Sequence, residues 1–304
     1  MFKIFKLHIK RCLLESVNLL FNHDWFYRLV GLVNKRINLI ESLFLVYPAT
    51  GEYALHYFYP HMIRRHVWRP GPSGLLWQNG KLSIMFAISA TNGQFTDSQN
   101  VEHLRQIADH MEKLRLLLGA RRKTFAGTLP GILYYRRIIR EAPEADLTAQ
   151  VVSMAINLVK FRESLGAETP VIILGGKGFI GRRVVKLLGK DRVYSLDVQD
   201  GQNQADWPDN LTGKRVIVVN ITLNSALRDY IDLIWPGTVV INEVYPEPEA
   251  DILERLDGKD CNCYHIVGVQ GSSLPSFPAA YEGAIPCCAA WPSLSMGVVV
   301  QKLN

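Results

Sequence analysis

Val171-Ile172-Ile173-Leu174-Gly175-Gly176-Lys177-Gly178-Phe179-Ile180-Gly181 is the stretch on which the reading of this chain turns. Its four leading apolar residues, three of them β-branched, predict a short strand buried on both faces. Gly176 to Gly181 then fits G-x-G-x-x-G, and a helical pattern runs on from Arg182 to Leu188. Between a strand and a helix each glycine has a physical task. Gly176 permits the tight turn, Gly178 lets backbone approach a pyrophosphate, and Gly181 lets helix and strand pack closely. The helix start adds unpaired N–H groups and a partial positive charge, which suit an anion. Lys177, Phe179 and Ile180 complete the loop as candidate cofactor contacts.

Outward from the turn, Val193 to Leu196 predicts a second strand, and Asp197 ends it about 20 residues beyond the first glycine. A carboxylate there accepts hydrogen bonds from a ribose 2′-hydroxyl and repels a 2′-phosphate. NAD is therefore the expected cofactor, with NADP kept open by Arg182 and Arg183. Val216–Val219, Val239–Ile241 and Ile266–Val269 supply further strands. This alternation predicts an α/β fold with a Rossmann-like doubly wound parallel sheet. In such sheets the strand C-termini face the ligand crevice. Asn220, Thr222 and Gly268 are accordingly candidates beside the nicotinamide, and Asn242-Glu243 holds the equivalent end of another strand.

The earlier part reads as a mixed α/β domain. Leu43–Tyr47 is a strand closed by Pro48-Ala49-Thr50-Gly51, and Leu82–Ser89 is a strand closed by a turn at Asn92-Gly93. The aromatic, histidine-rich stretch from Glu52 to Trp68 is expected to cover a pocket or a core edge. Val101–Leu118 is an amphipathic helix with Val101, Leu104, Ala108, Met111, Leu114 and Leu118 on one side, stopped by Gly119. Val151–Leu165 is a second helix, with Met154, Leu158 and Phe161 on one face. A boundary near Ala167 divides the chain into a substrate or interaction domain (1–166), a dinucleotide domain (167–272) and a C-terminal segment packing back on the first domain (273–304). In the opening segment Phe2, Phe5, Ile9 and Leu13 recur at helical spacing among lysines. The favoured reading packs this helix on its own domain or in a homodimer, and the alternative is contact with a membrane surface.

The 304 residues carry a formal charge of +6, with 48% apolar and 20% charged, which excludes collagen-like, disordered and disulfide-dense classes. No run approaches the roughly 18 apolar residues of a spanning helix. Arg64-Arg65, Arg121-Arg122-Lys123 and Arg136-Arg137 read as solvated helix ends, not as a nucleic-acid surface. The odd number of cysteines, five, gives no disulfide framework and points to the cytoplasm. His56, His61 and His66 do not share a helix face, so no metal site is expected.

Two stretches suggest chemistry. Pro286 is a favoured first residue of a helix. A helix starting there puts Cys287 and Cys288 in its first turn, where the dipole favours a thiolate nucleophile. Burial as ordinary core cysteines is the competing account. The segment from Arg121 to Gly131 offers Lys123 as an acid–base or carboxylate-holding group, which suits a dehydrogenase of a small hydroxy or amino acid without a covalent intermediate. A Rossmann-like protein that has lost catalysis and binds a peptide or protein partner in a biosynthetic pathway is the third reading.

Pro48-Ala49-Thr50-Gly51, Val171 to Gly181 and the cysteine pair in an alanine-rich C-terminal segment together resemble the long-chain acyl-carrier-protein reductases of cyanobacteria and their shikimate-dehydrogenase-like relatives. The resemblance implies an N-terminal substrate domain, a middle cofactor domain and a returning segment with a nucleophilic cysteine. It also implies reduction of an acyl thioester, carrier-bound or small, to an aldehyde. Those reductases use NADPH, and Asp197 departs from that preference.

Overall fold

The computed structural model describes residues 2–48, 54–55, 58–189, 191–197, 206–223, 225–277, 281–293 and 296–304, with side chains from residue 7 onward. Ala49, Thr50, Gly51, His56 and the side chains of Phe2 and Phe5 lie outside the described residues. Two units emerge. The first holds Met1–Glu144, Gly271–Phe277 and Cys288–Ser295, and the second Ala145–Gln270, Pro278–Cys287 and Met296–Asn304. The sequence reading put its division further on, near Ala167, and kept the C-terminal segment whole.

The first unit opens with helices α1 (Phe2–Phe21) and α2 (Asp24–Ile37), followed by strand β1 (Ile40–Val46). A short helix α3 (Pro60–Ile63) precedes the hairpin β2 (Gly71–Gln78) and β3 (Lys81–Ala87). Asn79 and Gly80 close that hairpin with positive φ angles of 49° and 74°, the two left-handed positions that a tight hairpin turn needs. Asn92-Gly93, expected as a turn, instead starts helix α4 (Asn92–Thr96), because Thr91 and Gln94 form a reciprocal capping box. Helix α5 (Val101–Leu118), strand β4 (Arg122–Phe125) and helix α6 (Leu129–Tyr135) follow. The sheet order is β10-β2-β3-β1-β4, where β10 is Ser272–Leu274. β1 runs parallel to β3 and β4, while β2 is antiparallel to β3 and β10. Leu43, Leu45, Phe86, Phe95, Leu104 and Met111 form the heart of the core. Phe58, Tyr59, Met62 and His66, from the stretch expected to cover a pocket, line a small open cleft beside Arg11 and Leu14 of α1.

α5 occupies the predicted residues, and Gly119 ends it in the left-handed conformation. α2 lies against it at the closest range a helix permits. A Cβ on Gly31 would stand 1.9 Å from the Leu117 carbonyl oxygen. Asn34 fixes the rotation of α2. Its Nδ2 donates to the Leu118 and Gly119 carbonyls at 3.1 and 3.0 Å, and its Oδ1 accepts from the Leu39 and Ile40 amides at 2.9 and 2.7 Å. The stripe expected to pack α1 on its own domain does not do so at Ile9 and Leu13, which are exposed.

The second unit starts with helix α7, within Pro143–Arg162. Its buried row is Val151, Val152, Ala155, Ile156 and Val159. The predicted face was wrong, since Met154 and Phe161 point outward and Phe161 is 83% exposed. Small and β-branched side chains permit a closer approach than the larger apolar ones, and they took the inner face. Next come β5 (Val171–Leu174), α8 (Gly181–Leu188), β6 (Val193–Leu196), β7 (Ile217–Asn220), α9 (Ala226–Tyr230), β8 (Val239–Asn242), α10 (Ala250–Asp257) and β9 (Asn262–Gln270). The spatial order β6-β5-β7-β8-β9 is parallel throughout, and the short β11 (Ala284–Ile285) and β12 (Val298–Lys302) pair antiparallel with β9. β5, β7 and β8 are buried at every residue. On one face Trp207, Tyr230 and Trp235 cover Ile172, Leu174, Val218 and Val240. This is the expected Rossmann-like doubly wound sheet, and its strand order reverses between β5 and β7, where such folds open a crevice.

Gly31→Ala tests the α2–α5 contact. Overpacking against a backbone carbonyl costs about 2 kcal/mol, more than the roughly 1 kcal/mol that alanine gains over glycine inside a helix. The expected result is a lower urea midpoint by circular dichroism.

Candidate functional site

β5 hands over to α8 through a turn whose geometry is set by bare backbone. Gly175, which the motif reading passed over, carries the positive φ of 87°; Gly176 is absent from the positive-φ glycines and so does not supply the left-handed turn. A Cβ on Gly176 would stand 2.1 Å from Ser195 Oγ on β6, and one on Gly175 would stand 2.7 Å from Thr222 Cβ beyond β7. At Gly181 a Cβ would stand 2.0 Å from the Gly175 oxygen. This is the close helix–strand packing expected of the third glycine. Gly178 donates its N–H to the Gly175 carbonyl at 2.9 Å. Apart from its chain neighbours, only that carbonyl comes within 4 Å of a Cβ built on Gly178, among the described residues. Arg183 braces the turn: its Nη1 donates to the Phe179 carbonyl at 2.7 Å, its guanidinium stacks on the Phe179 ring, and its Nε donates to Asp146 at 2.8 Å.

Asp197 follows the last residue of β6 and is 7% exposed. Across the neighbouring strand ends runs a row of buried polar side chains. Register pairs Asn220 of β7 with Asn242 of β8, and Asn242 with His265 of β9. Asn220 Nδ2 donates to Asn242 Oδ1 at 3.0 Å and to the Leu223 carbonyl at 3.0 Å. Asn242 Nδ2 donates to the Val244 carbonyl at 2.6 Å and faces His265 Nδ1 at 3.1 Å. Burial pushes the His265 imidazole below its usual value, so the ring is neutral and its Nδ1 accepts. Asn220 Oδ1 also accepts from the Thr222 amide at 3.3 Å. Asn220 thus holds the turn after β7, and Thr222 packs beside Gly175.

Pro286 does not start an α-helix. Cys287–Ala289 form one 3₁₀ turn, too short to supply the dipole expected to favour a thiolate. The environment of Cys287 is chemical nonetheless. Thr148 Oγ1 on α7 donates to its sulfur at 3.4 Å, and the thiol faces Glu243 Oε1 at 3.9 Å. Glu243 follows β8, with its amide bonded to the Asn220 carbonyl at 3.0 Å. Desolvation, with the Cys287 sulfur adding to it, raises the Glu243 carboxyl well above the usual carboxylate range. Cys288, the next residue, falls in the first unit.

Two other candidates have structural employment. Lys123 on β4 donates to Glu112 at 3.0 Å and to the Ala108 carbonyl at 3.3 Å. Gly268 lies inside β9 with a φ of 144°, and a Cβ there would stand 2.1 Å from the Ile285 carbonyl oxygen. That contact accounts for the glycine. Cys261 and Cys263 are buried, and burial pushes the Cys263 thiol up to about 12. Among the described residues no group of three or more His, Cys, Asp or Glu side chains could hold a metal ion, and no helix is long and apolar enough to cross a membrane.

Sequence reasoning missed Gly175, Thr148 and His265 as site residues and did not assign roles to Asn242 and Glu243. The last two carried a usable signal, since they sit where a short apolar strand ends. Thr148, 139 residues from Cys287, carried none.

No family model matches the chain, and neither does any curated protein. A solved structure of shikimate 5-dehydrogenase from Listeria monocytogenes, in complex with shikimate and NAD, is similar to 74% of this chain over 86% of its own length, at 10% identity and a TM-score of 0.39.

The Glu243 carboxyl carries a pH signature. Above the ordinary glutamate value of 4.5, the unfolded chain releases this proton while the folded chain retains it. Stability from this group is complete below that value and is lost as pH rises toward the raised one. Glu243→Gln removes the dependence, so its urea midpoint gains on the wild type as pH rises above the ordinary glutamate value.

Proposed function

We propose that this chain is an NAD-dependent reductase in which Cys287 is a nucleophile toward an acyl thioester. The observation that carries the cofactor part is the bare turn between β5 and α8, where among the described residues only Gly175 backbone, and no side chain outside the immediate neighbours, stands within 4 Å of a Cβ built on Gly178. The residues fit a dinucleotide in three further ways. The N-terminus of α8 meets the turn and favours phosphate. Asp197 suits ribose hydroxyls and disfavours a 2′-phosphate. Arg183, one arginine near enough in sequence to hold a 2′-phosphate, is engaged by Asp146 and the Phe179 carbonyl. The cofactor, bound in its reduced form NADH, would supply the hydride and leave as NAD.

Cys287, Glu243 and Thr148 supply the rest. Glu243 in its ionised form, whose share grows as pH rises toward the raised value, takes the Cys287 proton, and the Thr148 hydroxyl stabilises the sulfur anion by hydrogen bonding. The sulfur attacks the thioester carbonyl, a new C–S bond forms, and the old C–S bond breaks. The departing thiolate takes the proton back from Glu243. An acyl group remains on Cys287 at the same oxidation level, ready for reduction to an aldehyde. The Asn220–Asn242–His265 row holds the strand ends in place without adding charge.

Fluorescence titration with NADH and NADPH tests the cofactor. Saturable binding of NADH, at least about tenfold tighter than NADPH, is expected, and no binding of either nucleotide overturns the proposal. Cys287→Ala is expected to abolish acyl-thioester reduction while leaving NADH binding intact, and Cys288→Ala to retain the reaction. Glu243→Gln should slow acylation by about 100-fold or more, with least effect at alkaline pH, where the thiol ionises unaided.

A further inference from the structure

The helix pair at the start of the chain has an apolar face that its own unit does not use. On α2 the residues turned inward are Tyr27, Gly31 and Asn34. At about 100° per residue, Trp25, Leu29, Leu32 and Val33 lie on the opposite side of the helix. They are exposed: Trp25 by 62%, Leu29 by 54% and Leu32 by 61%. Rotation cannot hide them, because Gly31 is jammed against the Leu117 carbonyl and the Asn34 amide is bonded on both ends. Leu19 and Leu20, at the end of α1, are exposed as well. Soluble monomers rarely leave so many large apolar side chains together in water.

Charge selects the occupant. Residues 2–37 hold seven lysines and arginines against Glu15 and Asp24, which is five of the chain's six excess positive charges. On α2 itself, Arg28, Lys35 and Arg36 are all exposed. By helical spacing Arg28 and Lys35 border the apolar stripe and Arg36 stands within it. A tryptophan and leucines flanked by arginine and lysine form the pattern of a helix lying in a bilayer interface, with its apolar face among acyl chains and its cations among anionic headgroups. A two-fold contact between copies of this chain would instead bring like-charged faces together.

We propose that the outer face of α1 and α2 is a docking surface for an anionic lipid bilayer and holds the protein peripherally. This places the chain on a membrane without a spanning segment. The inference is independent of the cofactor and thiol chemistry.

Co-sedimentation of the full chain with vesicles of phosphatidylcholine, with and without phosphatidylglycerol, tests it. Partition onto the anionic vesicles is expected to exceed partition onto the neutral ones by at least about tenfold, and to fall as salt is added. Leu29→Asp with Leu32→Asp, both at exposed positions, should lower it at least about tenfold with an unchanged circular dichroism spectrum. Arg28→Glu with Lys35→Glu should do the same without touching an apolar residue. Phe161→Asp, an exposed apolar position on α7, should leave it unchanged. Wild-type protein that stays in the supernatant overturns the proposal, as does equal partition onto both vesicles or an equal loss with Phe161→Asp. A dimer in light scattering that the Leu29/Leu32 variant dissociates makes a second copy the occupant, and overturns it too.

Discussion

The contact between Gly181 and the Gly175 carbonyl sets the geometry of the second unit's crevice. With 2.0 Å between that oxygen and any Cβ at 181, only glycine brings the first turn of α8 down onto the end of β5. The chain can then turn within six residues and begin α8 close to the strand's end, with its amides near the point where strand order reverses. Gly175 makes the parallel contact sideways, against Thr222. From there the register does the rest. Leu174 pairs with Asn220, Asn220 with Asn242, and Asn242 with His265, so the ends of β5, β7 and β8 stand level with one another and with His265 inside β9. Glu243 is the next residue up from that row. The thiol chemistry proposed for Cys287 therefore depends, through the sheet, on the same backbone contact that shapes the Gly175–Gly181 turn.

What could be read in advance follows the range of the forces involved. β5 was legible to the residue because a strand buried on both faces is a continuous apolar run, and β6, half-buried at three of its four residues, because Arg192 and Asp197 bracket it. α5 was legible because its stripe is regular and Gly119 adopts the left-handed conformation that ends a helix. The glycine motif was legible as a type but misassigned by one residue: a template that starts at Gly176 overlooks the positive φ at Gly175. The face of α7 was lost because hydrophobic size was taken for burial, while Ala155 and Val159 were what fitted. At Pro286 a local preference was satisfied by three residues of 3₁₀ turn. The value of Cys287 lay in partners on β8 and α7, which no local pattern encodes.

Charge runs show the same limit. Arg121-Arg122-Lys123, which leads into β4, is the densest basic run of the first unit, yet each member has an acidic partner. Arg121 and Arg122 reach the buried Glu41 at 3.7 and 3.6 Å, and Lys123 reaches Glu112. Arg115, Lys123 and their charges hold the Glu112 carboxyl down at about 2. Glu41 is some eighty residues away along the chain and adjacent only because β1 and β4 pair in parallel. Neutralisation of that run leaves the α1–α2 segment as the place where the chain's positive excess resides, which is why a modest net charge still has a direction.

The Cys287–Glu243 pair makes sense of a carboxyl that is costly to bury. An ordinary glutamate is a poor base for a thiol, because the two groups differ by about 4 pKa units, or roughly 5–6 kcal/mol of proton transfer. Desolvation narrows that gap from the acid's side, raising Glu243 toward the thiol. The Thr148 hydroxyl narrows it from the other side by favouring the sulfur anion. A cation beside Glu243 would undo the first effect, and the side chains in the adjoining row are two amides and a neutral imidazole. Those neutral groups meet the hydrogen-bonding demand of the buried strand ends while keeping the local field low. The polar row and the raised carboxyl are thus one arrangement: amides and a neutral ring satisfy the backbone turns, and no cation among them draws the Glu243 carboxyl back down, as the proposed proton transfer from sulfur requires.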